Sequence, residues 1–87
     1  MRIKTKMLGR GLHSSQVVIG LDTRDGQQEL VMDARQLDAG YIHVGWPVGR
    51  DKEYYLIELP SETFGGSWRV WVKAGDLIED NNQRKRA

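Results

Sequence analysis

Apolar and polar residues alternate with a period of two along most of this chain, the spacing of strands with one face on a core and one in water. Ser67-Trp68-Arg69-Val70-Trp71-Val72-Lys73 carries the pattern most clearly. Trp68, Val70 and Val72 share one side; Arg69, Trp71 and Lys73 share the other. A first strand is predicted from Arg2 to Leu8, with lysines along one face, and Gly9-Arg10-Gly11 is predicted to end it. A second runs over 16–22, with Val17, Ile19 and Leu21 inward and Gly20 turned away, where a bend or close approach is allowed. Asp25-Gly26 between two β-rich runs predicts a hairpin, and Glu29 to Asp33 returns with Leu30 and Met32 inward.

Residues 34–39 are too few for a stable helix and predict a turn ended by Gly40. A fourth strand is expected over Tyr41–Val48, with Pro47 marking an edge or bulge, and then a polar turn over Gly49 to Lys52. Glu53 to Leu59 is apolar on both faces, as a central strand is. A glycine-paired loop leads to the Trp-rich strand, and Leu77-Ile78 closes the chain's pattern. The expected class is all-β, a small antiparallel barrel of five to six short strands. The expected core is Val17, Ile19, Leu21, Leu30, Met32, Ile42, Val44, Trp46, Tyr55, Ile57, Leu59, Val70, Val72 and Leu77. No internal repeat stands out.

The 87 residues fit one domain, expected over 1–80, followed by a disordered basic tail over 81–87. The chain has no cysteine, so neither disulfides nor thiolate metal sites hold it. With no apolar stretch after the N-terminal Met1-Arg2-Ile3-Lys4 and no long apolar run, the expectation is a cytoplasmic protein without a membrane span. Net charge is +1, but the cations Arg2, Lys4, Lys6, Arg10, Arg84, Lys85 and Arg86 sit at the ends, and all 12 acids lie between. This balance is far from that of a strongly basic nucleic-acid binder.

Tyr55-Leu56-Ile57-Glu58-Leu59, a loop, and then Val70-Trp71-Val72-Lys73-Ala74-Gly75-Asp76-Leu77-Ile78 resemble the end of SH3-like barrels. They are also similar to the SH3-like C-terminal domains of retroviral-type integrases. The resemblance implies a strand, one 3₁₀ turn and a short closing strand. The acidic loop, paired tryptophans and proline-lined groove of eukaryotic SH3 domains are missing, so proline-peptide binding does not carry over.

The candidate binding residues are Trp71, Arg69 and Lys73, with Tyr41, His43 and Tyr54 on neighbouring strands. Aromatics between cations can stack bases, anchor a protein interface, or simply be covered by a loop as part of the fold. His13 and His43 have no partners at metal-ligand spacing, and Ser14, Ser15 and Ser61 sit in no nucleophile-elbow pattern. Gly9-Arg10-Gly11 lacks the context of a phosphate loop. No catalytic residue, metal, cofactor or small-molecule substrate is expected. The expected role is a non-enzymatic interaction module with a protein partner or a second copy. Nucleic-acid binding, or an enzyme whose site forms only between subunits, are the alternatives.

Overall fold

A computed structural model describes residues 1–11 and 13–79. The tail expected over 81–87 lies outside the described residues. The chain is all-β, as its alternation predicts, but the strands are shorter and more numerous than expected. They are β1 (Arg2–Lys4), β2 (Lys6–Arg10), β3 (Gln16–Thr23), β4 (Gly26–Asp33), β5 (Leu37–Asp38), β6 (Tyr41–His43), β7 (Gly49–Asp51), β8 (Tyr54–Glu58), β9 (Arg69–Lys73) and β10 (Leu77–Ile78). Single 3₁₀ turns, Ala34–Gln36 and Ala74–Asp76, join β4 to β5 and β9 to β10. The strands form three antiparallel sheets, ordered β10-β1-β6-β5, β2-β3-β4 and β7-β8-β9, and none closes into the expected barrel.

The predicted first strand is two strands in two sheets. The bend falls at Thr5, which is buried, and its N–H and hydroxyl both donate to the Gly40 carbonyl (2.9 and 2.8 Å). Those bonds satisfy the polar groups that a strand loses when it leaves its ladder. Gly9 does not end β2; the strand runs on to Arg10 past a bulge at Leu8. The expected fourth strand stops at His43, before Gly45 and Pro47. The expected polar turn at Gly49 is instead β7, and the turn moves to Lys52-Glu53, where Lys52 takes a φ of 57°.

The chain is also two similar halves, contrary to the absence of a repeat in the sequence reading. β1–β5 and β6–β10 follow the same course, each a bent pair of strands, a hairpin, a 3₁₀ turn and a two-residue strand. Exchanging the halves preserves the hydrogen bonding. Thr5 N–H donates to Gly40 O at 2.9 Å, and Val44 N–H donates to Met1 O at 2.8 Å. Ala34 N–H donates to Ser15 O at 2.7 Å, and Ala74 N–H donates to Glu53 O at 3.0 Å. In the four-stranded sheet β1 pairs with β6 about the opposed residues Ile3 and Ile42. The outer pairs correspond too, Ile3 with Leu77 and Ile42 with Leu37.

The core follows the same symmetry. Ile3 matches Ile42, Ile19 matches Ile57, Leu21 matches Leu59, Leu30 matches Val70 and Met32 matches Val72, and all ten are buried. The sixth pair is buried Val17 with half-buried Tyr55. Ile3 was not in the expected core, and Trp46, which was, is 68% exposed. The alternation that placed Trp46 inside ends with β6. Hydrophobic burial at about 25 cal/mol per Å² is thus concentrated in aliphatic side chains from both halves.

Gly26 (φ 105°), the first residue of β4, and Gly66 (φ 90°), in the loop before β9, occupy matching places in the two hairpins. Both take the positive φ that a Cβ disfavours. Alanine at either position should cost about 1 kcal/mol in urea unfolding, whereas Gly9→Ala, with open space and an ordinary φ, should cost little.

At the end of β4 the Asp33 carboxylate accepts from Arg35 Nη2 (2.9 Å), Nε (3.1 Å) and the backbone N–H (2.9 Å). The Arg35 side-chain bonds, then the backbone bond, lower the Asp33 pKa from 3.8 to about 2. The folded state therefore favours the ionised carboxylate. Its contribution is present above about pH 4 and is lost as pH falls toward 2. Asp33→Asn should lower the urea midpoint at pH 6, and the gap from wild type should close by about pH 2.

Candidate binding surface

Register places Tyr54, Leu56 and Glu58 of β8 opposite Lys73, Trp71 and Arg69 of β9, all on the outward face of the second three-stranded sheet. Val70 and Val72 take the inward face. Trp71 is half-buried because its ring extends across this face toward β7. A Cβ at Gly49 would lie 3.3 Å from Leu56 Cβ and 3.6 Å from Trp71 Cη2, so glycine leaves the ring its path. Arg24 covers the ring from the β3–β4 turn, its guanidinium carbon 4.6 Å from the Trp71 ring and 5.6 Å from that of Tyr54. Asp51 holds the same guanidinium at 2.9 Å, and Arg24 N–H donates to Trp71 O at 2.8 Å. The indole thus lies between a sheet and a cation.

The other expected residues are placed as follows. Arg69 donates Nε (3.0 Å) and Nη2 (2.8 Å) to one oxygen of Glu58. Lys73 and Tyr54 border a polar cleft of about 470 Å³ with Asp22 and Asp76. Tyr41 and His43 lie on β6, in the four-stranded sheet, so the six residues divide between two sheets. Arg2 lies 5.7 Å from the Tyr41 ring, and Asp38 is 3.8 Å from Arg2 and 3.7 Å from His43 Nε2. Cations on both faces therefore sit beside carboxylates, which weakens any net field for polyanions.

Alternation in the sequence did not find the most exposed aromatics, Trp46 (68%), Phe64 (64%) and Trp68 (56%). Each lies in a connecting segment outside the strands. Pro47 was the available signal for Trp46: it has no N–H for a ladder, so the alternation loses its meaning there. Every Trp, Tyr and Phe of the chain lies after residue 40, so the halves share a core but not a surface. Met7 stands where the second half has Trp46, Gln28 where it has Trp68, and Val31 where it has Trp71.

Trp46, Val48, Arg50, Tyr55, Met1 and Glu79 border an open cleft of about 480 Å³ beside β7. Arg50 stacks on Tyr55 at 5.7 Å. The lining is mostly apolar, with one cation and one carboxylate at its rim, an arrangement suited to holding a side chain or short segment. Among the described residues no group of three or more His, Cys, Asp or Glu could hold a metal ion, and no helix is long and apolar enough to cross a membrane. Comparison with protein families, curated proteins and solved structures finds no match for the chain.

In a variant with Trp46 and Trp68 changed to Phe, Trp71 should be partly shielded from iodide quenching. Adding Arg24→Ala should raise the quenching constant and cost about 1 kcal/mol, because two cation–π contacts and one exposed ion pair are lost. Unchanged quenching would show that Arg24 does not cover the ring.

Proposed function

We propose that this protein is a non-enzymatic interaction module that binds another protein. The exposure of Trp46 beside an open apolar cleft carries the reading. A tryptophan gains by burial, and interfaces are enriched in Trp, Tyr and Arg. The groups in this cleft suit an aromatic anchor with a polar rim. The contact surface centres on Trp46, Val48, Arg50 and Tyr55 rather than on Trp71, Arg69 and Lys73, since Arg24 covers the indole and Glu58 pairs with Arg69.

An SH3-like architecture belongs to the same proposal. Supporting it are β9, the 3₁₀ turn and β10 in that order, and the passage of the N-terminal strand from one sheet to another at Thr5. Direct nucleic-acid binding is the weaker reading, because Arg2, Lys6, Arg24, Arg35 and Arg69 each face a carboxylate at 2.8–3.8 Å.

Trp46→Ala should leave the circular dichroism spectrum and melting temperature within about 2 °C of wild type, since the ring is outside the core. The same variant should lose the partner that wild type captures. Oligonucleotide binding by fluorescence polarisation, falling steeply with salt, would instead favour the nucleic-acid reading. Retention of every captured partner by Trp46→Ala would overturn the proposed contact surface.

A further inference from the structure

The four outer strands of the two three-stranded sheets are treated differently. β4 and β9 are covered by loops of the opposite half: Phe64 N–H donates to Glu29 O, and Arg24 N–H donates to Trp71 O, both at 2.8 Å. Among the described residues β2 and β7 pair on one side only. β7 has three residues and β2 has five, so β2 is the longer open edge. An open edge offers a row of backbone donors and acceptors to an incoming strand.

The side chains on β2 narrow what that strand can be. Met7 is 61% and Leu8 45% exposed, at the middle of the edge. Lys6 and Arg10, both exposed, stand at its two ends. Met7 and Arg10 are paired with inward-facing Ile19 and Val17, whereas Lys6 is paired with Gly20 on the other face. Leu8 reaches that same face, its Cδ1 within 3.1 Å of a Cβ placed on Gly20. Each face of the edge therefore presents one apolar residue and one cation. Residues 1–11 contain no acid, and Lys4 adds a further exposed cation just before the bend. Lys6 faces Asp22 at 3.4 Å, with both side chains more than half exposed, a pairing easily exchanged for another carboxylate.

We infer that β2 is a docking edge for an extended segment of another protein in which two apolar residues are bracketed by acids. This rests on the reading of the chain as an interaction module and adds a site away from the Trp46 cleft. Apolar residues of the segment lie against Met7 and Leu8, and carboxylates lie opposite Lys6 and Arg10, the cross-strand pairs that stabilise antiparallel ladders. The charge pattern is the same from either end, so both strand directions satisfy it. A second copy is the poorer occupant: pairing two β2 edges brings two Lys6 and two Arg10 side chains into one seam to which neither strand contributes an acid. The cations thus guard the edge against self-association while selecting an acidic strand.

The test uses the full chain and three fluorescein-labelled peptides. They are Glu-Glu-Val-Ile-Ser-Glu-Glu, its counterpart with Lys for every Glu, and the acidic peptide with alternate backbone amides methylated. The acidic peptide should bind about tenfold more tightly than the Lys peptide at low salt, and methylation should abolish binding. The double substitution Lys6→Glu with Arg10→Glu should reverse the charge preference while leaving the melting curve in place. Amide chemical-shift changes on binding should fall on β2 and β3. No saturable binding up to ~1 mM, or no reversal in the charge-swapped variant, would overturn the inference. Shift changes confined to Trp46, Val48 and Tyr55 would also overturn it, while leaving the proposed function standing. A dimer in solution with β2 amides protected from exchange would assign the edge to a second copy and overturn it as well.

Discussion

The antiparallel pairing of Ile3 with Ile42 is the contact on which the architecture turns. Each is fully buried and each stands at the start of one half. Their strands lie at the centre of a sheet whose outer members come from the opposite half, β10 beside β1 and β5 beside β6. Neither half can complete that sheet alone. A unit of this size also buries too little surface to fold by itself without help. Folding must therefore bring Ile3 beside Leu77, nearly the full length of the chain apart, before the four-stranded sheet exists.

Two-fold repetition gives the molecule a symmetric interior and leaves its surface free to differ. Ile19 and Ile57, or Leu21 and Leu59, fill matching positions because matching strands need matching volumes. Outside the core that demand lapses, and aromatics gather in the second half alone. The first half supplies cations to some of them, Arg2 to Tyr41 and Arg24 to Tyr54 and Trp71. Trp46 and Trp68 remain exposed. The two halves differ in what they present, a cationic edge in the first and an aromatic cleft in the second, two surfaces of different chemistry carried on one scaffold.

The hairpin loops do more than connect. Arg24 and Phe64 each donate a backbone N–H to the outer strand of the other half. The same contacts remove two open edges and lock the halves together. The short turn of the first hairpin places a guanidinium over Trp71, and the longer loop of the second is organised around buried Thr63, whose hydroxyl accepts from Ser67 N–H at 3.0 Å. Similar strands with unlike loops thus produce unlike faces.

Local sequence by itself determined the all-β class and the inward faces of β3, β4 and β9 through period-two alternation, the Asp25-Gly26 hairpin through its turn residues, and the central place of β8 through a run apolar on both faces. Those features rest on local geometry, where neighbouring residues decide the outcome. Only the tertiary structure decided that the first strand bends at Thr5, because the Gly40 carbonyl that receives it is distant in sequence. The repeat was hidden for a related reason: Ile42 follows Ile3 by 39 positions, Ile57 follows Ile19 by 38 and Val70 follows Leu30 by 40, so loops of unequal length blur any fixed period. The fate of each indole was likewise beyond local pattern. Whether Trp71 meets water depends on a guanidinium from another hairpin, and Trp46 escapes burial because its strand ends before reaching it.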